Sequence, residues 1–386
     1  MIDLVCHVVD NYGDIAVTWR LAQALVQDAP SDVRVRLLVD DWESFRHLNP
    51  QLEPGRDRQV VDCPGGCVTV LASAALERLD RERLEPADVL VEAFGAPTPV
   101  VWIERFLNRA AEGRGALRER LILHLEYLTA EPWSEQYHLL PSPVGRPGVQ
   151  RYFFVPGFRP RAGGLVFTDP PPVPAVRGGE DWLMTLFSYE HDFTRFWNAL
   201  ADFLAERRQT ARVLVCAGRS QAGALACWET VSAARGGAPY ITVEALPFLD
   251  QDAYTSLLAA GDFHVVRGEE SWVQAVLSGK AFLWQAYLQP EGYQSVKVDA
   301  FLEIWKTRFD AMGAEASAVF DRLSATFRAM NRRTSNSETE DLGEDYRVFW
   351  ENRALLEAVG TAWADELRKN AKLSRRMLEF LESFRV

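Results

Sequence analysis

The feature that most restricts this chain is an alternation of short apolar runs with helix-spaced runs. It occurs twice, on either side of one Pro- and Gly-rich stretch. In the first half, residues 2–9, 33–39, 87–93 and 121–127 have the length and apolar content of buried strands. Residues 15–26 and 100–111 carry apolar side chains at helical spacing. Residues 157–180 break the pattern, because a proline run cannot join a helix or a central strand. The alternation restarts with strands over 182–189, 213–217, 241–246, 263–266 and 281–287. Helices over 193–206, 222–232, 253–260 and 270–277 separate them. From residue 294 onward the pattern is helical, interrupted by the polar stretch 332–345. Strand and helix in alternation predict a parallel, doubly wound sheet. A chain of 386 residues is long for one domain. The expected fold is therefore α/β, with two facing Rossmann-like domains and an interdomain cleft. The expected boundaries are 1–160 for the first domain, completed by a tail helix over 362–386, then a linker over 161–180 and a second domain over 181–361.

The formal net charge of -12 disfavours a general nucleic-acid binder, since an acidic chain repels a phosphate backbone. No apolar run approaches the roughly 20 residues that span a bilayer. Neither a nucleic acid nor a membrane is expected as a partner. The N-terminus runs directly into a strand pattern without a basic flank, and reads as mature protein and not as a signal peptide. Five cysteines, an odd number, point to a reducing compartment. Cys63 and Cys67 bracket Pro-Gly-Gly, a turn, with no further ligands nearby to complete a zinc site.

In open α/β sheets ligands sit beyond the carboxyl ends of the strands, so residues at those positions are the candidates. The sharpest is residues 8–25, where a strand ends at Asp10, Asn11-Tyr12-Gly13 turns, and Asp14 opens a helix. Two carboxylates flank one tight turn. A structural role is an equally physical account, because an Asp at a helix N-cap stabilises by about 1 kcal/mol. A Gly-x-Gly-x-x-Gly loop is absent here, which disfavours a dinucleotide site. In residues 261–287 a strand ends in Arg267-Gly268, and Glu269, Glu270 and Ser271 start a helix. A helix N-terminus suits a diphosphate, although Glu in a first turn also favours the helix dipole without any ligand. Phe187 and Tyr189 alternate about Ser188 at the end of another strand. Phe248, followed by Gln251, pairs an aromatic face with an amide that can hold a nucleobase or simply pack. The six histidines form no metal-spaced pair, and neither a Gly-x-Ser-x-Gly elbow nor a His-Glu-x-x-His motif is present.

Asp10-Asn11-Tyr12-Gly13-Asp14-Ile15 with Trp19-Arg20-Leu21 resembles the N-terminal signature of the EarP family, the protein-arginine rhamnosyltransferases of elongation factor P. Arg267-Gly268-Glu269-Glu270-Ser271 resembles that family's C-terminal signature, with Glu270 where Asp is more usual and, in the first signature, Ala16 where Gly is. The stretches 125–133 (LEYLTAEPW), 138–143, 163–165 and 279–287 fit in order and spacing, so the resemblance covers nearly the whole chain. It implies a glycosyltransferase-B fold in the cytoplasm and dTDP-β-L-rhamnose as donor substrate on the second domain. It also implies inversion at the anomeric carbon, no cofactor and no metal ion. The implied acceptor is one arginine of translation elongation factor P, which this modification activates, presented to the first domain. It makes Asp14 the catalytic base and Asp10 the second essential acid, with Asp10, Asn11, Tyr12 and Gly13 forming the acceptor side. On the donor side Phe248 would stack on thymine with Gln251 bonding nearby. Glu269 would hold the ribose, while Tyr189, Glu270 and Ser271 approach the diphosphate. Phe187 would line the sugar pocket, and Arg267 completes the set.

Three other functions share these features. A glycosyltransferase with another acceptor would show the same donor motifs and differ in the first signature. An epimerase or hydrolase of the same fold would turn over donor alone. A non-catalytic adaptor of a translation factor would tolerate loss of the paired Asp residues.

Overall fold

The computed structural model describes residues 1–9, 12–76, 84–110, 117–169, 182–289, 291–332 and 344–385. The chain forms two compact units, Met1–Pro171 with Lys369–Val386, and Pro172–Arg368.

Unit 1 is built on β1 (Ile2–Cys6), β2 (Val35–Val39), β3 (Arg58–Cys63), β4 (Gly66–Ala72), β5 (Val89–Ala93), β6 (Arg120–Leu125), β7 (Pro141–Ser142) and β8 (Val149–Phe154). Its helices are α1 (Gly13–Asp28), α2 (Trp42–Leu48), α3 (Val100–Ala110) and α4 (Trp133–Tyr137). The sheet order among the described residues is β3-β4-β2-β1-β5-β6-β8-β7. The six inner strands are parallel, and β3 and β7 are antiparallel edges. Counting only the parallel strands, this is the doubly wound order in which the chain reverses direction between β1 and β5, the place where such sheets bind ligands. Pleating sorts the side chains of β1. Ile2, Leu4 and Cys6 join one core with Trp19 and Leu25 of α1, while Val5 joins the opposite core with Trp102 and Phe106 of α3. Asp3, on the latter face, is buried but fully used. It accepts hydrogen bonds from the Arg36 guanidinium at 2.6 and 2.8 Å, the Ala87 N–H and the Trp102 indole.

The β3–β4 hairpin went unseen in the sequence. Its exposed and buried positions are mixed along β3, as befits an edge strand, and its turn is Pro64-Gly65 with Gly65 at φ 93°. Cys63 and Cys67 flank that turn as free thiols.

Unit 2 contains β9 (Trp182–Leu186), β10 (Ala211–Val215), β11 (Ile241–Ala245), β12 (Phe263–Arg267) and β13 (Ala281–Gln285), all parallel in the order β11-β10-β9-β12-β13. Here the reversal point lies between β9 and β12. Helices α5 (Thr194–Arg207), α6 (Gln221–Ala234), α7 (Gln251–Ala260) and α8 (Glu270–Ser278) connect the strands. They are followed by α9 (Gln294–Asp310), α10 (Ala314–Met330), α11 (Arg347–Glu351) and α12 (Arg353–Asn370). An aromatic cluster fills the space between β13 and the later helices. Trp272 and Trp284 stack at 3.7 Å, and Phe301, Trp305 and Phe327 pack around Phe282.

The final helix, α13 (Leu373–Glu382), belongs to unit 1, where Leu373, Met377 and Leu381 are buried in the α1-side core. Lys372, 1 % exposed, holds it there through Asp28 and Asp169, each at 2.8 Å. The Gly-rich composition of residues 161–169 reads as linker, but these residues form part of unit 1. Leu165 N–H donates to Ala371 at 2.6 Å, and Leu373 N–H returns to Leu165 at 2.8 Å. Gly164, at φ +87°, permits the approach, since a Cβ there would lie 2.4 Å from the Ala371 carbonyl oxygen. The remainder of the expected linker, 170–180, lies outside the described residues.

Candidate active site

Asp14 stands at the reversal point of unit 1, in the first turn of α1 and just beyond β1. It is 4 % exposed. The expected strand over 2–9 ends at Cys6, because the next residues bond to side chains. Val8 N–H donates to Asp40 Oδ1 at 3.0 Å, and Val9 N–H to Asp14 Oδ2 at 2.9 Å. Asp14 thus secures the loop that leads into its own helix, and its second oxygen lies 3.4 Å from the Tyr127 hydroxyl. Gly13 opens α1, and Tyr12 sits at its cap with its ring 5.8 Å from that of His47. Asp10 and Asn11 lie outside the described residues.

Two further residues complete this edge, and neither was identified from the sequence. Tyr127 lies two residues beyond β6, is 42 % exposed, and stacks on Phe94 at 4.6 Å with an interplanar angle of 17°. Phe94 follows β5 in the left-handed region at φ 57°, and Gly95 repeats it at φ 71°. A bulky residue rarely adopts that conformation, and such strain concentrates where a side chain must be aimed. The result is a carboxylate, a phenol and an aromatic face at the carboxyl ends of β1, β5 and β6.

At the reversal point of unit 2, β9 ends at Leu186, so Phe187, Ser188 and Tyr189 are loop and not strand. Phe187 N–H still donates to Val265, after which Tyr189 N–H turns to Gln285 Oε1 at 2.8 Å. The Arg267 guanidinium lies over both rings, 4.6 Å from Phe187 and 4.8 Å from Tyr189. Gly218 brings the β10–α6 loop close to this pair: a Cβ there would lie 3.5 Å from Arg267 Nη2 and from the Phe187 ring. Gly268, at φ 65°, makes the turn from β12 into α8. Glu269 occupies the N-cap position of that helix without a side-chain capping bond, and its carboxylate lies 3.6 Å from the Lys297 ammonium. Glu270 is in its first turn, and Ser271, 5 % exposed, donates to the Arg267 carbonyl at 2.7 Å. Phe248 is 42 % exposed, just before α7, while Gln251 at the start of α7 is 8 % exposed. The structure therefore brings Phe187, Tyr189, Arg267 and Ser271 together around one turn, with a helix N-terminus and a fixed cation beside it. That combination suits an anion with an organic body.

Cysteine chemistry is disfavoured at both edges. Burial pushes the thiols of Cys6, at the end of β1, and Cys216, just past β10, up to about 12, so neither is ionised at neutral pH. Among the described residues no cluster of three His, Cys, Asp or Glu could hold a metal ion, and no helix is long and apolar enough to cross a membrane.

Known proteins give this geometry its family. The family model described as elongation-factor P (EF-P) rhamnosyltransferase EarP matches residues 2–170 and 175–382. A protein-arginine rhamnosyltransferase of Pseudomonas putida is 32% identical over 403 residues, covering 98% of this chain and 97% of that protein. A protein of the same description from Neisseria meningitidis is 31% identical over 345 residues, covering 83% of this chain and 81% of its own. A solved structure concerned with EarP-mediated arginine glycosylation of translation elongation factor EF-P shares the fold, with a TM-score of 0.51 at 22% identity over 99% of this chain and 98% of the other. The matches span both units and both signatures, and the chain belongs to the EarP family of rhamnosyltransferases.

Proposed function

We propose that this enzyme transfers L-rhamnose from dTDP-β-L-rhamnose to an arginine side chain of elongation factor P, with inversion and without a metal ion, in the cytoplasm. The observation that carries the reading is the placement of Asp14 beside Tyr127 at the reversal point of a doubly wound sheet, in a chain of this family. The relatives are described as acting on protein arginine.

A guanidinium has a pKa of about 12.5 to 13.8, so a carboxylate cannot deprotonate it in advance. In the proposed step an arginine Nη forms the new bond to the anomeric carbon as the bond from that carbon to the diphosphate oxygen breaks. The proton leaves Nη for Asp14 as the positive charge on nitrogen grows. The electron pair of the broken bond goes to dTDP. Its negative charge meets Arg267 and the first turn of α8, groups fixed before the reaction and needing no reorganisation. Attack opposite to the departing diphosphate converts the β-linked sugar into an α-linked one. Asp10 is proposed to hold the guanidinium together with Asp14, and Asn11, Tyr12 and Gly13 to shape the acceptor side. Phe248, 42 % exposed, is proposed to stack on thymine with Gln251 bonding nearby, and Glu269 to hold the ribose hydroxyls. Phe187, Tyr189, Glu270 and Ser271 line the sugar and diphosphate side.

The test of the donor and of the stereochemistry is a transfer assay offering dTDP-β-L-rhamnose and UDP-glucose separately, with the product linkage read by proton NMR. The expected product is an α-rhamnosyl arginine formed from the dTDP sugar. A retained β linkage, or equal use of UDP-glucose, contradicts the proposal.

A further inference from the structure

A recess of about 350 Å³ opens at the carboxyl ends of β6 and β8, lined by Glu126, Trp133, Tyr137, Phe153 and Val155. The residue after Glu126 is Tyr127, whose hydroxyl lies 3.4 Å from Asp14, so one short segment beyond β6 carries both a wall of the recess and a member of the Asp14 edge. Its volume is at the low end for ligand sites, roughly 300 to 1,000 Å³, and fits a single side chain better than a nucleotide sugar. Its walls are aromatic. The rings of Trp133 and Tyr137 stand perpendicular at 5.8 Å and form a corner. The charged lining group is Glu126, whose carboxylate lies 3.2 Å from His124 Nε2. Arginines of the surrounding segments are directed elsewhere: Arg151 lies 3.5 Å from Glu92, Arg159 donates to the Ala130 carbonyl at 2.7 Å, Arg161 lies 3.7 Å from Glu135, and Arg376 donates to the Ala162 carbonyl. His138 adds no positive charge, since burial holds its imidazole down at about 4. Indole and phenol faces with one carboxylate attract a cation on an aliphatic stem, and the stem covers the apolar wall while the charged end reaches the acid.

We propose that this recess receives a second basic side chain of the protein acceptor, a lysine or arginine distinct from the one that is modified. This rests on the proposed transfer to a protein arginine. Such an anchor sets the register of the acceptor on unit 1, and explains how one arginine is selected among many by a site whose reacting group recognises only a guanidinium.

The test is steady-state kinetics of the full chain with elongation factor P and dTDP-rhamnose, read by intact mass. Trp133→Ala and Glu126→Gln are each expected to raise KM for the protein acceptor about tenfold, with kcat and KM for the donor within about twofold of wild type. Trp133→Phe keeps most of the affinity. In the acceptor, replacing its lysines and arginines singly by methionine identifies one position with the same KM rise, and that rise is absent when the enzyme already carries Trp133→Ala. Unchanged acceptor KM in Glu126→Gln, a partly exposed position where substitution leaves the fold intact, overturns the cationic anchor. A rise in Trp133→Ala alone overturns it in favour of an apolar contact. Absence of any transfer by the wild-type chain overturns the parent reading and this one with it, whereas transfer with unchanged KM in both variants overturns this one alone.

Discussion

Replacing Asp14 by Asn separates its observed contact to the loop from its proposed role as base. Its carboxylate accepts the Val9 N–H at 2.9 Å and lies 3.4 Å from the Tyr127 hydroxyl, in surroundings that leave it 4 % exposed. An asparagine keeps one carbonyl oxygen, which can continue to accept from Val9, and turns its amide toward the phenol oxygen. The loop latch is preserved, so the stability cost is about 1 kcal/mol, one imperfect hydrogen bond. What the amide cannot do is take a proton. Loss of a positioned base costs about 10² to 10⁴ in rate, or about 3 to 5 kcal/mol in the barrier. The assay is kcat from intact-mass time courses at saturating donor and acceptor, with donor affinity by calorimetry and a thermal melt alongside. The expected result is unchanged donor affinity, a melt shifted by a few degrees and kcat down by at least about a hundredfold. A folded variant with kcat within about twofold of wild type refutes the assignment of Asp14 as base. A loss matched by lost donor binding refutes the separation of the two edges.

Three other outcomes follow from the same geometry. Arg267→Met keeps a long stem against Phe187 and Tyr189 but removes the cation, and is expected to weaken dTDP binding about 10- to 100-fold by calorimetry. Met377→Ala empties a fully buried position where α13 packs on the unit 1 core, and is expected to lower unfolding stability by about 2 to 5 kcal/mol in urea while dTDP affinity stays unchanged. His264 is fully buried, bonded to Thr185 at 2.8 Å, and burial holds its imidazole down at about 4 against about 6.5 when unfolded. The unfolded chain then binds more protons between those values, so stability falls as pH drops through that window, by up to about 3 kcal/mol. Urea midpoints at pH 7 and 5 should show this fall, and His264→Gln should reduce it.

The central strands of both sheets were readable in the sequence, unlike β3, β4, β7 and β8, because β1, β5, β9 and β12 are short apolar runs followed by helices of a different period. Strand ends were not readable. Beyond Cys6, Leu125 and Leu186 the runs 2–9, 121–127 and 182–189 still carry Val8, Val9, Tyr127, Phe187 and Tyr189, residues as typical of strands as those before them, so the points where the chain leaves the sheet do not stand out. That is why Tyr127, read as strand, was missed, although it lies beside Asp14. Phe94 was missed for a different reason: its left-handed backbone is imposed by the surrounding fold, and Phe has no local preference for it. The position of Asp14 and of the Arg267–Ser271 turn, after a strand and at the start of a helix, was legible because periodicity marks both elements. The role of Gly164 was hidden because its partner Ala371 is about 200 residues away in sequence, and there a glycine permits close approach and does not signal a linker.

The most direct test of the central claim is intact-mass spectrometry of purified elongation factor P after incubation with this enzyme and dTDP-β-L-rhamnose in EDTA. The account predicts one added deoxyhexose per molecule, lost when the acceptor arginine is replaced by lysine. An unchanged mass despite measured donor binding, or a sugar that persists on the lysine variant, contradicts it.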